Sequence, residues 1–120
     1  MKLTEAKEIL GAQVLTSIPW EDIEVHSACG SDLMSDVLAF VKDQALLLTG
    51  LVNPQVIRTA EMMDIKVLAF VRGKRPSEDM IELAESMGIV MLTTECPLYI
   101  ACGRLYEKGL GGRGGTAYAR

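Results

Sequence analysis

The chain has 120 residues, 49% of them hydrophobic and 23% charged, an ordinary composition for one globular domain around a single core. Its net charge of −4 speaks against a general nucleic-acid binder, because affinity there comes largely from neutralising phosphates. No apolar run approaches the ~18 residues of a membrane span. The opening M-K-L-T-E-A-K-E has no apolar segment behind its charges, so neither membrane insertion nor export is expected and the location implied is cytoplasmic.

In chain order, Leu3, Ala6, Ile9 and Leu10 share one helical face, with Thr4 as N-cap and Gly11 as the stop. A short strand at Gln13–Ser17 follows, and I-P-W-E-D turns the chain into a second strand, Ile23–Ala28. Helix Ser31–Lys42 sets Leu33, Met34, Val37, Leu38 and Val41 on one face. Strand Ala45–Thr49 is apolar almost to its end, as suits a strand covered on both sides. Asn53-Pro54 is an N-cap followed by proline at the first helical position; Val56, Ile57, Ala60 and Met63 form the inward face of that helix. Strand Lys66–Val71 ends at R-G-K-R-P, and Ser77 caps a helix that stops at Gly88. Strand Ile89–Thr93 leads into a last helix from about Pro97 to Lys108.

This alternation predicts an α/β fold: a mostly parallel sheet of about five strands with right-handed crossovers and helices on both faces. The first strand breaks the alternation and is expected at an edge or antiparallel. Residues 1–109 form the expected domain, and the glycine-rich residues 110–120 a flexible tail.

Parallel strands bring their carboxyl ends to one edge, where open α/β sheets bind ligands. That edge would collect Gly30, Ser31 and Asp32; Thr49, Gly50 and Asn53; Arg72, Lys74 and Arg75; and Thr93 and Thr94. Several helix amino termini would point the same way, and their backbone N–H groups together with the basic cluster suit an anion. Taken singly, Ser31, Asn53 and Ser77 need be no more than helix caps. Neither G-x-x-x-x-G-K-[ST] nor a strand-borne G-x-G-x-x-G occurs.

No nucleophile and base stand at a diagnostic spacing, and His26, the only histidine, falls inside a predicted strand. The three cysteines read as reduced thiols, and Cys96 and Cys102 do not match C-x-x-C spacing. Cys29 and Cys96 could approach each other along the sheet edge, which keeps a metal or redox protein open as an alternative. Gly103, with Leu98, Ala101, Leu105 and Tyr106, makes the last helix a candidate dimer surface.

G-S-D at Gly30–Asp32, L-L-L-T-G-L at Leu46–Leu51, and the order of the later V-L-A-F-V-R-G-K-R-P and G-I-V-M-L-T-T segments resemble the DRTGG domain family from about Leu3 to Gly109. Asp32 matches the acidic position of the motif, and Thr49 and Gly50 match its Thr-Gly; Leu33 and Leu51 depart from it. The resemblance implies a fold like the amino-terminal domains of HPr kinase and Mur ligases. It also implies a regulatory or dimerising role of the kind such domains have between CBS domains of regulated pyrophosphatases.

Residues and resemblance together lead to a non-catalytic, dimeric, ligand-sensing domain without metal or cofactor, binding an anionic small molecule such as an adenine nucleotide. Its expected ligand residues are Gly30, Ser31, Asp32, Thr49, Gly50, Asn53, Arg72, Lys74, Thr93 and Thr94. A structural module that dimerises or docks on a hydrogenase-associated or kinase partner is the alternative of a different class.

Overall fold

A computed structural model describes residues 1–40 and 45–111. Helix α1 (Leu3–Leu10) buries Leu3, Ala6 and Leu10, and Gly11 ends it with left-handed backbone at φ 59°. Its amino terminus is not capped by Thr4, as the sequence suggests, but follows Lys2, which makes no side-chain cap. Backbone pairing replaces the cap. Lys2 bridges to Glu24, and the Leu3 N–H donates to Ile23 O at 2.9 Å.

That pairing explains a shift downstream. Ile23–Val25 bonds to the amino terminus, so β2 spans Ser27–Gly30 instead of Ile23–Ala28. Cys29 and Gly30 therefore belong to a strand, and exposed His26 precedes it. Strand β1 is the short pair Gln13–Val14. Helix α2 covers Met34–Phe40; the expected extension through Val41 and Lys42 lies outside the described residues.

The remaining elements are β3 (Ala45–Thr49), α3 (Pro54–Met62), β4 (Val67–Phe70), α4 (Glu78–Ser86), β5 (Val90–Thr93) and α5 (Leu98–Glu107). They form a five-stranded sheet in the order β1-β5-β4-β3-β2. Strands β2 to β5 run parallel, and β1 pairs antiparallel with β5. The sheet is thus mixed, which corrects the expectation of a mostly parallel one. The cause is local: Gly11 reverses the chain straight after α1, leaving no room for the crossover a parallel β1 would need.

From β2 to β5 each crossover advances one strand in the same direction, so right-handed connections put α2, α3 and α4 on one face. Met34, Val37, Val56, Ile57, Ala60, Met80 and Ala84 pack there against Leu47, Leu68, Phe70 and Met91. Helices α1 and α5 cover the other face, where Leu3, Leu10, Ala101 and Leu105 meet Leu46, Leu48, Ala69 and Leu92. Both faces of β3, β4 and β5 are therefore dry, which accounts for their apolar sequences. Leu110 also joins the core, and Gly111 O accepts from the Ala28 N–H of edge strand β2 at 3.0 Å. The first two residues of the expected tail, 110–120, thus pack with the domain, and residues 112–120 lie outside the described residues. No helix among the described residues is long and apolar enough to cross a membrane.

Candidate functional site

Thr49, Phe70 and Thr93 stand side by side across β3, β4 and β5, so these strands end level and their following loops share one edge. Three different arrangements occupy that edge.

The first joins the ends of β2 and β3. Asp32 Oδ1 accepts from Thr49 Oγ1 at 2.9 Å and from the Gly50 N–H at 2.7 Å. Thr49 Oγ1 in turn accepts from the Leu51 N–H at 3.1 Å. A Cβ on Gly50 would stand 3.1 Å from Arg72 Nη2 and 3.6 Å from both Asp32 carboxylate oxygens, so the guanidinium lies over Gly50 beside the carboxylate. Asp32 thereby latches the β2–α2 turn onto β3. Ser31 serves the same turn, its Oγ accepting from the Leu33 N–H at 3.1 Å. The missing side chain of Gly30 is filled by Cys102 Sγ and Leu98, which lets α5 lie close on β2.

The second joins β4 and β5. The connection after β4 leaves for α4 on one face and that after β5 for α5 on the other, the split at which α/β sheets usually open a ligand crevice. Here the crevice is stitched shut. Arg72 and Gly73 both take left-handed backbone, φ 58° and 70°, and their N–H groups donate to Cys96 O at 2.9 Å and Thr94 O at 2.8 Å. Thr93 Oγ1 donates to Lys74 O at 2.7 Å, and Thr94 Oγ1 donates to Leu10 O at 2.6 Å while accepting from the Cys96 N–H. Both threonine hydroxyls are thus engaged by the protein itself.

The third is an open cavity of about 630 Å³ between the amino-terminal ends of α3 and α4. Its polar lining is Asn53, Arg58, Arg75, Ser77 and Asp79; Val52, Met80 and Leu83 supply apolar wall. Arg75 Nη1 donates to Gln13 Oε1 at 3.3 Å, which ties the rim to β1. The helix ends themselves offer less than the sequence suggests. Pro54 has no N–H, Gln55 N–H donates to Asn53 Oδ1 at 2.9 Å, and Val56 N–H to Asn53 O at 3.1 Å. The first turn of α3 is therefore satisfied from within. At α4, Ser77 Oγ accepts from Met80 N–H at 3.3 Å, leaving the Glu78 and Asp79 N–H groups without an intrahelical acceptor. Positive potential in the cavity comes mainly from the two arginines.

Of the expected ligand residues, the fold gathers Asp32, Thr49, Gly50 and Arg72 into one cluster and places Asn53 in the cavity. Thr93 and Thr94 sit inside the stitching, and Lys74 is exposed on the loop between them and the cavity. Arg58 is absent from that expectation. It reads as one more charge on a solvated helix face, although its place four residues after Pro54 puts it on the side of the helix that begins the cavity.

Cys29 packs with the α2–α4 face and Cys96 with the α1–α5 face, so the sheet lies between the two thiols proposed as a pair. Among the described residues no group of three metal-ligating side chains comes together. Burial raises the Cys29 and Cys102 thiols, Cys29 further through Cys102 and Asp36, which keeps both protonated near neutral pH. The dimer face suggested on α5 also needs correction: Ala101 and Leu105 point into the core, whereas Tyr99, Ile100 and Tyr106 face outward.

No family model and no curated protein sequence matches the chain. Its structure is similar to that of the CBS and DRTGG domains of the regulatory region of Clostridium perfringens pyrophosphatase, solved in complex with an activator, diadenosine tetraphosphate. The TM-score is 0.67 at 15% identity, over 87% of this chain and 45% of that one. The chain thus has a DRTGG-like α/β fold, and it spans under half of the neighbour's length. At this identity the likeness concerns the fold.

Proposed function

We propose that the protein is a cytoplasmic, dimeric, non-catalytic regulatory domain that senses an anionic small molecule, such as an adenine nucleotide, at the carboxyl edge of its sheet. The observation that carries this reading is the loop after β4. Arg72 lies over Gly50, and Lys74 and Arg75 follow it exposed on the same edge, giving positive charge to a chain whose net charge is −4. The fold neighbour, a regulatory region bound to a nucleotide activator, supports the same direction. Within the proposed site, Asn53 and Lys74 contact the ligand, and Arg72, lying over Gly50, anchors the loop that carries Lys74. Gly30, Ser31, Asp32, Thr49, Gly50, Thr93 and Thr94 frame it, because their polar groups already bond within the protein.

A thermal-shift screen against nucleotides and phosphorylated metabolites tests the reading. Ligand at a hundred times its dissociation constant stabilises the native state by ~2.7 kcal/mol, a clear rise in melting temperature. Lys74→Ala or Asp32→Ala should diminish that rise, and an equal rise in both variants refutes these residues as the site.

A second reading, a docking module for a hydrogenase-associated or kinase partner, draws on one observation: Tyr99 is 86% exposed beside exposed Ile100 and Tyr106 on α5. Sedimentation of Tyr99→Glu against the unmodified chain separates a homodimer built on this face from one built elsewhere.

A further inference from the structure

Resting on the ligand-sensing reading, we infer that the ligand chamber is the cavity between α3 and α4, that Arg58 is its principal phosphate ligand, and that its occupant is a nucleoside monophosphate. Three features of the lining select that class. Arg58 on α3 and Arg75 on the loop before α4 line one cavity. Arg58 makes no ion pair or hydrogen bond among the described residues, so its planar fork of donors is available to a phosphate. Arg75 is held from outside by Gln13, which keeps it at the rim.

The acidic lining residue sharpens the choice. Asp79 would repel a ligand that is anionic throughout, such as a bare polyphosphate, but accepts hydrogen bonds from sugar hydroxyls. Val52, Met80 and Leu83 then supply the apolar wall that a flat ring needs. A volume of about 630 Å³ falls within the ~300–1,000 Å³ of small-molecule sites. Phosphate, hydroxylated linker and ring are together what two guanidinium groups, one carboxylate and an apolar wall can each recognise.

The alternative location, the Asp32–Thr49–Gly50–Arg72 cluster, has its carboxylate already accepting two hydrogen bonds, and the β4–β5 crevice is closed by the protein's own backbone. The α3–α4 cavity combines open volume with a cation that is unengaged among the described residues.

Isothermal titration with AMP, adenosine and inorganic phosphate tests the assignment on the full chain. AMP should bind at least tenfold more tightly than either fragment, since each fragment satisfies only part of the lining. Arg58→Ala should weaken AMP about tenfold and leave adenosine unchanged, the loss expected for one charge-assisted phosphate contact. Arg58 is exposed, so an unchanged melting temperature of the unliganded variant confirms that the fold is intact. If AMP binds but keeps its affinity in Arg58→Ala, the chamber is misassigned while ligand sensing stands. If neither AMP nor any phosphate compound binds the unmodified chain, the ligand-sensing reading fails with it.

Discussion

Two clefts lie along the same edge of this sheet, and they have opposite fates. Between β4 and β5, where connections part to opposite faces and a ligand crevice is expected, the chain closes the gap with its own hydrogen bonds. Arg72 and Gly73 turn left-handed to donate to Thr94 and Cys96, and the two threonine hydroxyls complete the seam. Between α3 and α4, both on one face, no such seam forms among the described residues and a cavity remains. Topology alone does not place a ligand site. The polar groups of a cleft must also be left unengaged, because a donor already bonded within the fold gains little by exchanging one partner for another.

The contrast can be broken from either side. The largest effect is expected for Thr94→Val. Thr94 is 3% exposed, and losing its hydroxyl leaves the Cys96 N–H without its acceptor and Leu10 O with only the weak Cys96 thiol donor, a loss of about 2–3 kcal/mol measurable by urea denaturation. Next is Gly73→Ala. The left-handed backbone and the nearby Glu95 carboxylate, 2.9 Å from where a Cβ would stand, predict a loss of about 1–2 kcal/mol by the same measurement. On the open side Ser77→Ala removes the α4 cap and should lower stability by about 1 kcal/mol in thermal melts. Arg58→Ala should leave unliganded stability within about 0.5 kcal/mol. A large loss there would mean that the cavity is held together by its arginines and is not an open site.

The smallest effect belongs to alkaline solution. The Cys29 and Cys102 thiols lie above their ordinary value of 9.0 in the folded protein because they are buried. The native state therefore holds protons that the unfolded chain has released. Stability conferred at lower pH is lost as pH rises past about 9 toward the raised folded values. Denaturant midpoints at about pH 8 and about pH 10 should differ less in a Cys29→Ala/Cys102→Ala double variant than in the unmodified chain.

Much of the architecture is legible in the residues. Asn53-Pro54 and Ser77 start α3 and α4 where their cap chemistry says they should, since a cap acts within a single turn. The unbroken apolar runs of β3 and β5 announce strands covered on both faces. The failures come where a distant partner intervenes. Thr4 looks like a cap, but pairing of Lys2 and Leu3 with Glu24 and Ile23 makes a cap unnecessary and moves the start of β2 from Ile23 to Ser27. Gly30 looks like a ligand-loop residue, yet its lack of a side chain serves Cys102 and Leu98 of α5.

By itself, then, the sequence determined the α/β class, the starts of α3 and α4, and the gathering of Asp32, Thr49, Gly50 and Arg72 toward one sheet edge. Those follow from periodicity and local hydrogen bonding, which act over a few residues. The tertiary structure alone decided that Cys29 and Cys96 are parted by the sheet, that Thr93 and Thr94 seal a crevice, and that Arg58 and Arg75 share a cavity. Each depends on which groups find partners across the fold, and hydrogen-bond satisfaction between residues remote in the chain leaves no trace in residue order.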